Sequence, residues 1–256
     1  MSARIVTFVN QKGGVGKTTT AVSLAAALAR RGQRVLLVDL DPQANASSAL
    51  GVDSTDRLGI YDALLDEIPV EQCVVTAPFE SVDVIPASAG LAGAEVELVP
   101  VMARERRLTN TLQPLRKKYD WILVDCPPSL GLLTINALTA SDHVVIPVQC
   151  EYMALEGLSR LMETLELVRR NLNPPLTILG VVLTMYDSRT RLSQQVVDEV
   201  RSHFEQTLAT VVPRTVRLSE APSHGQSIFR YDPGGRAAQA YDAVAGELLA
   251  RVEVPA

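Results

Sequence analysis

The apolar residues of this chain come in two rhythms, and their alternation predicts the fold. Short continuous runs occupy residues 5–9 (Ile-Val-Thr-Phe-Val), 35–39 (Val-Leu-Leu-Val-Asp), 82–86, 121–125 (Trp-Ile-Leu-Val-Asp), 142–148, 176–183 and 210–213. Runs of this length without an alternating polar side read as strands buried on both faces. Between them the period changes. Ala21, Leu24, Ala25 and Leu28 fall at i, i+3, i+4 and i+7, one face of a helix that begins near Lys17. Further helices are predicted over 60–65, 91–98, 101–118, 155–171, 192–204 and 236–252. Strand and helix in turn mean an α/β fold: one domain over residues 1–256, with a mostly parallel twisted sheet flanked by helices on both faces. Ligands of such sheets bind at the carboxyl ends of the strands.

Polar chemistry collects at those ends. Behind the first strand stands Lys12-Gly13-Gly14-Val15-Gly16-Lys17-Thr18-Thr19. Strand, glycine-rich loop and helix together form a phosphate-binding loop of the P-loop NTPase kind. Its glycines let backbone N–H groups crowd around an oxyanion, and the helix start adds unpaired N–H groups and a positive dipole end. Lys17 is expected to reach the β/γ-phosphates, and the Thr18 hydroxyl to ligate Mg²⁺. The common pattern has a first glycine where this chain has Gln11, and a second lysine, Lys12, follows. Asp125 closes the 121–125 strand and is expected to hold the water shell of Mg²⁺. Asp41 lies 24 residues after Lys17 and can order the attacking water or a water on the metal. Asp39, inside its strand, is the competing candidate and is assigned a structural role.

Composition narrows the class. With 47% hydrophobic residues in 256, the chain can bury one large core. A net charge of −5 gives no global sign of a nucleic-acid binder. Lysine is confined to Lys12, Lys17, Lys117 and Lys118, so two in one loop carry weight. Cys73, Cys126 and Cys150 have no C-x-x-C spacing, which argues against a disulfide framework or metal site and for a reducing cytosol. His143, His203 and His224 are scattered, and no metal or catalytic role is expected of them. No signal peptide, membrane span or internal repeat is read.

Three stretches resemble the nucleotide motifs of the ParA/MinD family of deviant-loop ATPases: residues 12–19, Val38-Asp39-Leu40-Asp41-Pro42-Gln43, and Asp125-Cys126-Pro127-Pro128-Ser129. Three more narrow the resemblance to its Soj-type chromosome-partition branch: Leu91-Ala92-Gly93-Ala94-Glu95, Pro147 to Tyr152, and Val212 to Ser223. The resemblance covers essentially the whole chain. It implies that Lys12 reaches across a homodimer to the partner's phosphates, so that two ATP molecules are sandwiched between two protomers. It implies that Asp41 is the switch I acid supporting hydrolysis. Asp125 becomes the metal-associated acid of switch II, with Pro127 to Leu130 as its mobile part. Pro213 and Thr215 match the stretch lining adenine, although Thr215 stands where relatives often carry Asn.

The resemblance also implies non-specific DNA as a track, a ParB-type partner that stimulates hydrolysis, and a cytoplasmic, nucleoid-associated location. From Tyr186 to Arg236 there are seven Arg, six acids and two His, with no basic run. Arg189 and Arg217 match the positions the family uses for DNA, and Arg214, Arg191 and Arg201 are candidates nearby. Pairing with Asp187, Asp198 and Glu220 is the alternative for each. The chain begins at the first strand, so no N-terminal helix-turn-helix is expected. Its end, with one Arg, a Glu and a Pro in six residues, is a poor membrane anchor. A MinD-like membrane ATPase, an iron–sulfur member and a nucleotide-gated switch with negligible hydrolysis are the rival readings.

Overall fold

The structure is a computed structural model that describes residues 2–65, 68–88, 90–152 and 154–253. Its elements in chain order are β1 (Arg4–Phe8), α1 (Lys17–Arg30), β2 (Val35–Asp39), α2 (Asn45–Ala49), α3 (Ile60–Leu65), β3 (Val75–Thr76), β4 (Asp83–Ile85), α4 (Leu91–Glu97) and α5 (Arg107–Leu112). They continue with β5 (Trp121–Asp125), α6 (Leu132–Ala140), β6 (His143–Gln149), α7 (Ala154–Asn171), β7 (Thr177–Tyr186), α8 (Arg191–His203), β8 (Thr207–Pro213), α9 (Arg217–Glu220), α10 (Ile228–Tyr231) and α11 (Arg236–Glu253). The strands form one sheet in the order β3-β4-β2-β5-β1-β6-β7-β8. All neighbours are parallel except β3, which runs antiparallel to β4 at one edge.

Period-2 geometry sends neighbouring apolar residues to opposite faces. Val6, Phe8, Leu37 and Leu123 pack with α1 and α11 on one face. Ile5, Leu36, Val38 and Ile122 pack with α3 to α6 on the other. Val144, Ile146, Val181 and Leu183 meet α7 and α8. The alanines of α1, at 21, 25, 26 and 27, are fully buried. Small side chains let this helix lie close to both the sheet and α11. Edge strand β8 is secured by α11: Glu247 accepts from the amides of Ala209 and Thr210, at 2.7 and 2.9 Å, and Arg251 donates to the carbonyls of Leu179 and Gln206.

Two expectations need correction. The continuous helix predicted over 101–118 is a 3-10 turn (Arg104–Arg106), then α5, then a second 3-10 turn (Gln113–Lys117). Ala103 at φ 52° turns the chain before it, and Pro114 lacks the N–H that an α-helix needs there. Helix α6 has no counterpart in the predicted pattern. It is buried nearly all round, with Leu133, Thr134, Asn136, Ala137 and Leu138 enclosed, so it has no polar face to give a 3.6-residue period. Its Asn136 is used internally, accepting from the Leu108 amide and donating to the Arg104 carbonyl. Among the described residues, no helix is long and apolar enough to cross a membrane. The final residues 254–256, included in the expectation about the chain's end, lie outside the described residues.

Candidate functional site

Sheet order brings the predicted acids to the glycine loop. β5 lies between β1 and β2, with Phe8 opposite Asp125 on one side and Asp39 opposite Asp125 on the other. The loop leaves β1 through Asn10, whose Nδ2 donates to Pro147 O at 2.8 Å. Gly14 at φ 76° and Gly16 at φ 88° take the left-handed conformation that turns the loop into α1. No side chain caps this 14-residue helix and no acid stands in its first turn, so its first amides are open to an anion. Gly13, Gly14, Gly16, Lys17, Thr18 and Thr19 line one end of a cleft of about 460 Å³, and Asp41 and Pro128 close it from two other strand ends. Val15 is buried beneath the loop, its carbonyl accepting from Thr184 Oγ1 at 2.8 Å.

Lys17 is 6% exposed and donates from Nζ to the Lys12 carbonyl at 3.1 Å. Burial lowers its pKa, while the charges of Asp125, Cys126 and Asp41 oppose that shift. Asp41 is nearly buried, lines the cleft, and accepts from the Gln43 amide at 3.0 Å. Asp39 is fully buried and accepts from the Ser47 amide and hydroxyl at 2.8 and 2.7 Å. It therefore fixes the start of α2, in keeping with the structural role expected of it. Burial pushes its pKa up to about 6 against those hydrogen bonds.

Asp125 is different. It is wholly buried and neither carboxylate oxygen has a hydrogen-bond partner. Burial and the neighbouring Asp39 raise its pKa well above the carboxylate range, and the nearby Thr18 hydroxyl and Lys17 charge only partly offset this. A buried carboxylate in that state calls for a proton or a cation. Among the described residues no group of three or more His, Cys, Asp or Glu could hold a metal alone. That donor set fits Mg²⁺, which keeps its waters and is held by one or two protein oxygens together with substrate phosphates. Thr18 and Asp125 supply such oxygens, with Asp41 close by.

The far wall of the cleft is mainly apolar and comes from distant segments: Met185, Leu218, Ala221, Pro222 and Ile228, with Gln226 and Ser227 as its polar members. Met185 sits at φ 55°, a left-handed conformation unusual for a side chain of its size. Pro213 and Thr215, expected at this end, are half-buried and lie outside the residues that line the cleft. Leu218, Ala221 and Pro222 stand within the 212–223 stretch already singled out. Met185, the penultimate residue of β7, carried no local signal for this conformation. Lys12 also lies outside the cleft lining and is ion-paired with Glu151.

The arginines are dispersed. Arg189 is clamped to Asp187 through its backbone N, Nε and Nη2, at 3.0, 2.9 and 2.7 Å, and holds that carboxyl well below its ordinary pKa. Arg217 donates to Glu220 at 3.0 Å and lies over the Tyr231 ring. Arg201 donates to the Ala209 carbonyl. Arg214 is exposed; its backbone amide donates to Tyr186 O at 2.9 Å and its charge acts on Asp187.

A protein-family profile described as an AAA domain matches residues 3–178. The chain is 56% identical over 249 residues to the sporulation initiation inhibitor protein Soj of Bacillus subtilis, covering 96% of this chain and 98% of that one. It is 52% identical over 250 residues to the chromosome partitioning protein ParA of Myxococcus xanthus, covering 97% and 88%. Among solved structures, the cobyrinic acid a,c-diamide synthase of Mycobacterium smegmatis with bound ADP and magnesium is similar at a TM-score of 0.87 and 38% identity, covering 98% and 96%. The cell division ATPase MinD of Pyrococcus furiosus is similar at 0.80 and 30% identity, covering 97% and 99%.

Proposed function

The chain belongs to the Soj/ParA family of P-loop ATPases, and from that premise we propose that it is a chromosome-partition ATPase whose ATP-bound homodimer holds DNA without sequence preference. The observation that carries the nucleotide chemistry is the conjunction of an uncapped helix start and a buried Lys17 at the cleft with an unpartnered Asp125 buried behind them, outside the cleft lining. ATP is the nucleotide and Mg²⁺ the metal, held by Thr18 and Asp125. When bound, Mg²⁺ neutralises charge on the β- and γ-phosphates.

The chain's own residues do the rest. Amides of residues 13–19 and the Lys17 ammonium receive the phosphates. Asp41 orients water for in-line attack on the γ-phosphate, a task of positioning that needs no strong base. Lys12 from the opposite chain adds positive charge where negative charge develops on the phosphate oxygens in the transition state. The apolar wall supports an adenine placed against Met185 and Leu218, in the neighbourhood of the segment that carries Pro213 and Thr215. Arg214 presents a cation to DNA phosphates, Arg189 and Arg217 do so by exchanging Asp187 and Glu220 for phosphate, and a ParB-type partner speeds hydrolysis and ends the DNA-bound state. On this reading the protein works in the cytoplasm, on the nucleoid.

DNA binding by the purified chain, measured at fixed stated salt with ATP, ADP or no nucleotide, is the first test. Binding only with ATP is expected, with phosphate release rising when DNA and partner are both added. Equal binding in all three states, or ATP-dependent binding to lipid vesicles in its place, would sink the proposal. Asp41→Ala is expected to trap the ATP dimer on DNA, and Arg217→Glu to lose DNA while still dimerising with ATP.

A further inference from the structure

Lys12 and Glu151 form an ion pair within one chain, outside the cleft lining. Both ends of this pair stand on fixed supports. The Lys12 amide donates to Asn10 Oδ1 at 3.0 Å, and Asn10 is itself bonded to β6 through Pro147 O. Glu151 follows β6 in a turn where its own amide donates to Gln149 O at 2.8 Å and the Cys150 amide donates to Thr184 O at 3.0 Å. Thr184 Oγ1 in turn reaches Val15 O inside the phosphate loop. The loop and the Glu151 turn are thus one hydrogen-bonded frame, and the ion pair closes it. The side chains of Lys12 and Glu151 are 43% and 36% exposed, so a second molecule can reach the ammonium, yet its charge is already compensated.

We propose that Glu151 is a positioning residue for Lys12: a latch that holds the ammonium in cis and must release it before two chains close over nucleotide. This rests on the proposed dimer role of Lys12. The latch opposes closure because an ammonium committed to a carboxylate has less charge to offer a partner's phosphates. Exposed ion pairs shift an equilibrium by roughly 1.4- to 5-fold. A two-fold symmetric dimer opens two of them, so the factors multiply to about two- to thirty-fold.

Two measurements on the full-length chain test this, comparing wild type with Glu151→Gln and Glu151→Asp after thermal melts establish that all three fold. The first uses no nucleotide. With lysine only at 12, 17, 117 and 118, amine acylation followed by peptide mass spectrometry resolves Lys12, with Lys117 as internal standard. Lys12 is expected to label roughly 1.4- to 5-fold faster in Glu151→Gln, and Glu151→Asp to stay nearer wild type. The second is sedimentation at saturating ATP and Mg²⁺, where the dimer dissociation constant of Glu151→Gln is expected to fall by about two- to thirty-fold. Unchanged Lys12 labelling, or a wild-type dimer that Glu151→Gln leaves equal or weaker, overturns the latch. A wild-type chain that stays monomeric with ATP overturns the dimer reading beneath it, and the labelling result tells the two failures apart.

Discussion

The two ends of the cleft are built on opposite plans. The phosphate end is drawn from one loop, residues 13–19, and works through backbone amides, two left-handed glycines and one buried ammonium. The far wall gathers Met185 from the end of β7 and Leu218, Ala221, Pro222 and Ile228 from the short helices that follow β8, and works mainly through apolar contact. Its placement depends on a seam just behind the cleft lining, next to Ser48, Ala49, Gln226 and Ser227. The turns at Gly51 and Gly225, both at positive φ, touch so closely that a Cβ on Gly225 would lie 2.8 Å from the Gly51 Cα. Glu80 accepts from the Ser227 amide, and Arg230 lies over Phe79, holding the same wall from the β3–β4 side. An anion site can be written into a short local sequence because amides are the same everywhere. A shaped apolar wall has to be assembled by the fold.

Substitutions that separate the ends should differ in kind as well as in size. Lys17→Ala removes the buried cation of the phosphate end and is expected to lower ATP turnover by about 100- to 1,000-fold, read by phosphate release. A loss under ten-fold would mean that the loop amides carry the phosphates without it. Gly225→Ala attacks the far wall through its support. Left-handed strain and the clash with Gly51 should cost about 1–3 kcal/mol of stability in a urea melt, and an unchanged midpoint would show that the seam yields freely. Leu218→Ala trims the far wall itself. KM for ATP should rise about three- to ten-fold with kcat unchanged, whereas a fall in kcat alone would move Leu218 into the hydrolytic step.

A further effect is in pH. Asp39 is raised to about 6 by burial, above an ordinary value of about 3.9. Its contribution to the stability of the nucleotide-free chain is therefore full below pH about 4 and is lost as pH rises through about 6. Asp120, drawn down to about 2 by its hydrogen bonds from Arg34, acts the other way: its stabilisation is present above pH about 4 and lost as pH falls through about 2. Melts of Asp39→Asn across this range should show a shallower decline between pH 4 and 6. A decline as steep as wild type would assign it to other groups.

Much of this was legible in the chain. Strands 35–39 and 121–125 match the predicted bounds, because each is an apolar run ended by an acid, and the short helix 60–65 matches as well. Helix α6 was not legible: a helix enclosed on all sides has the composition of a buried strand and the period of neither. The broken 101–118 segment misled for a related reason, since helical spacing of Val101, Leu108, Leu112 and Leu115 continues across turns that Ala103 and Pro114 interrupt. In the site, Lys17, Thr18 and Asp41 stand at the cleft, as their motifs indicate.

The sequence by itself determined the phosphate end, since loop conformation there follows from which residues are glycine and where the helix starts. It also determined that Asp39 and Asp125 each close a strand, with Asp41 in the loop just beyond Asp39. Only the tertiary structure decided what each acid became. Asp39 finds Ser47 and turns structural, while Asp125 finds no hydrogen-bond partner and is left in need of a cation or a proton. Only the tertiary structure joined Lys12 to Glu151, residues 139 positions apart whose meeting depends on β6 lying beside β1. A motif fixes which groups are present, and burial and neighbours fix their charge, their partners and hence their work.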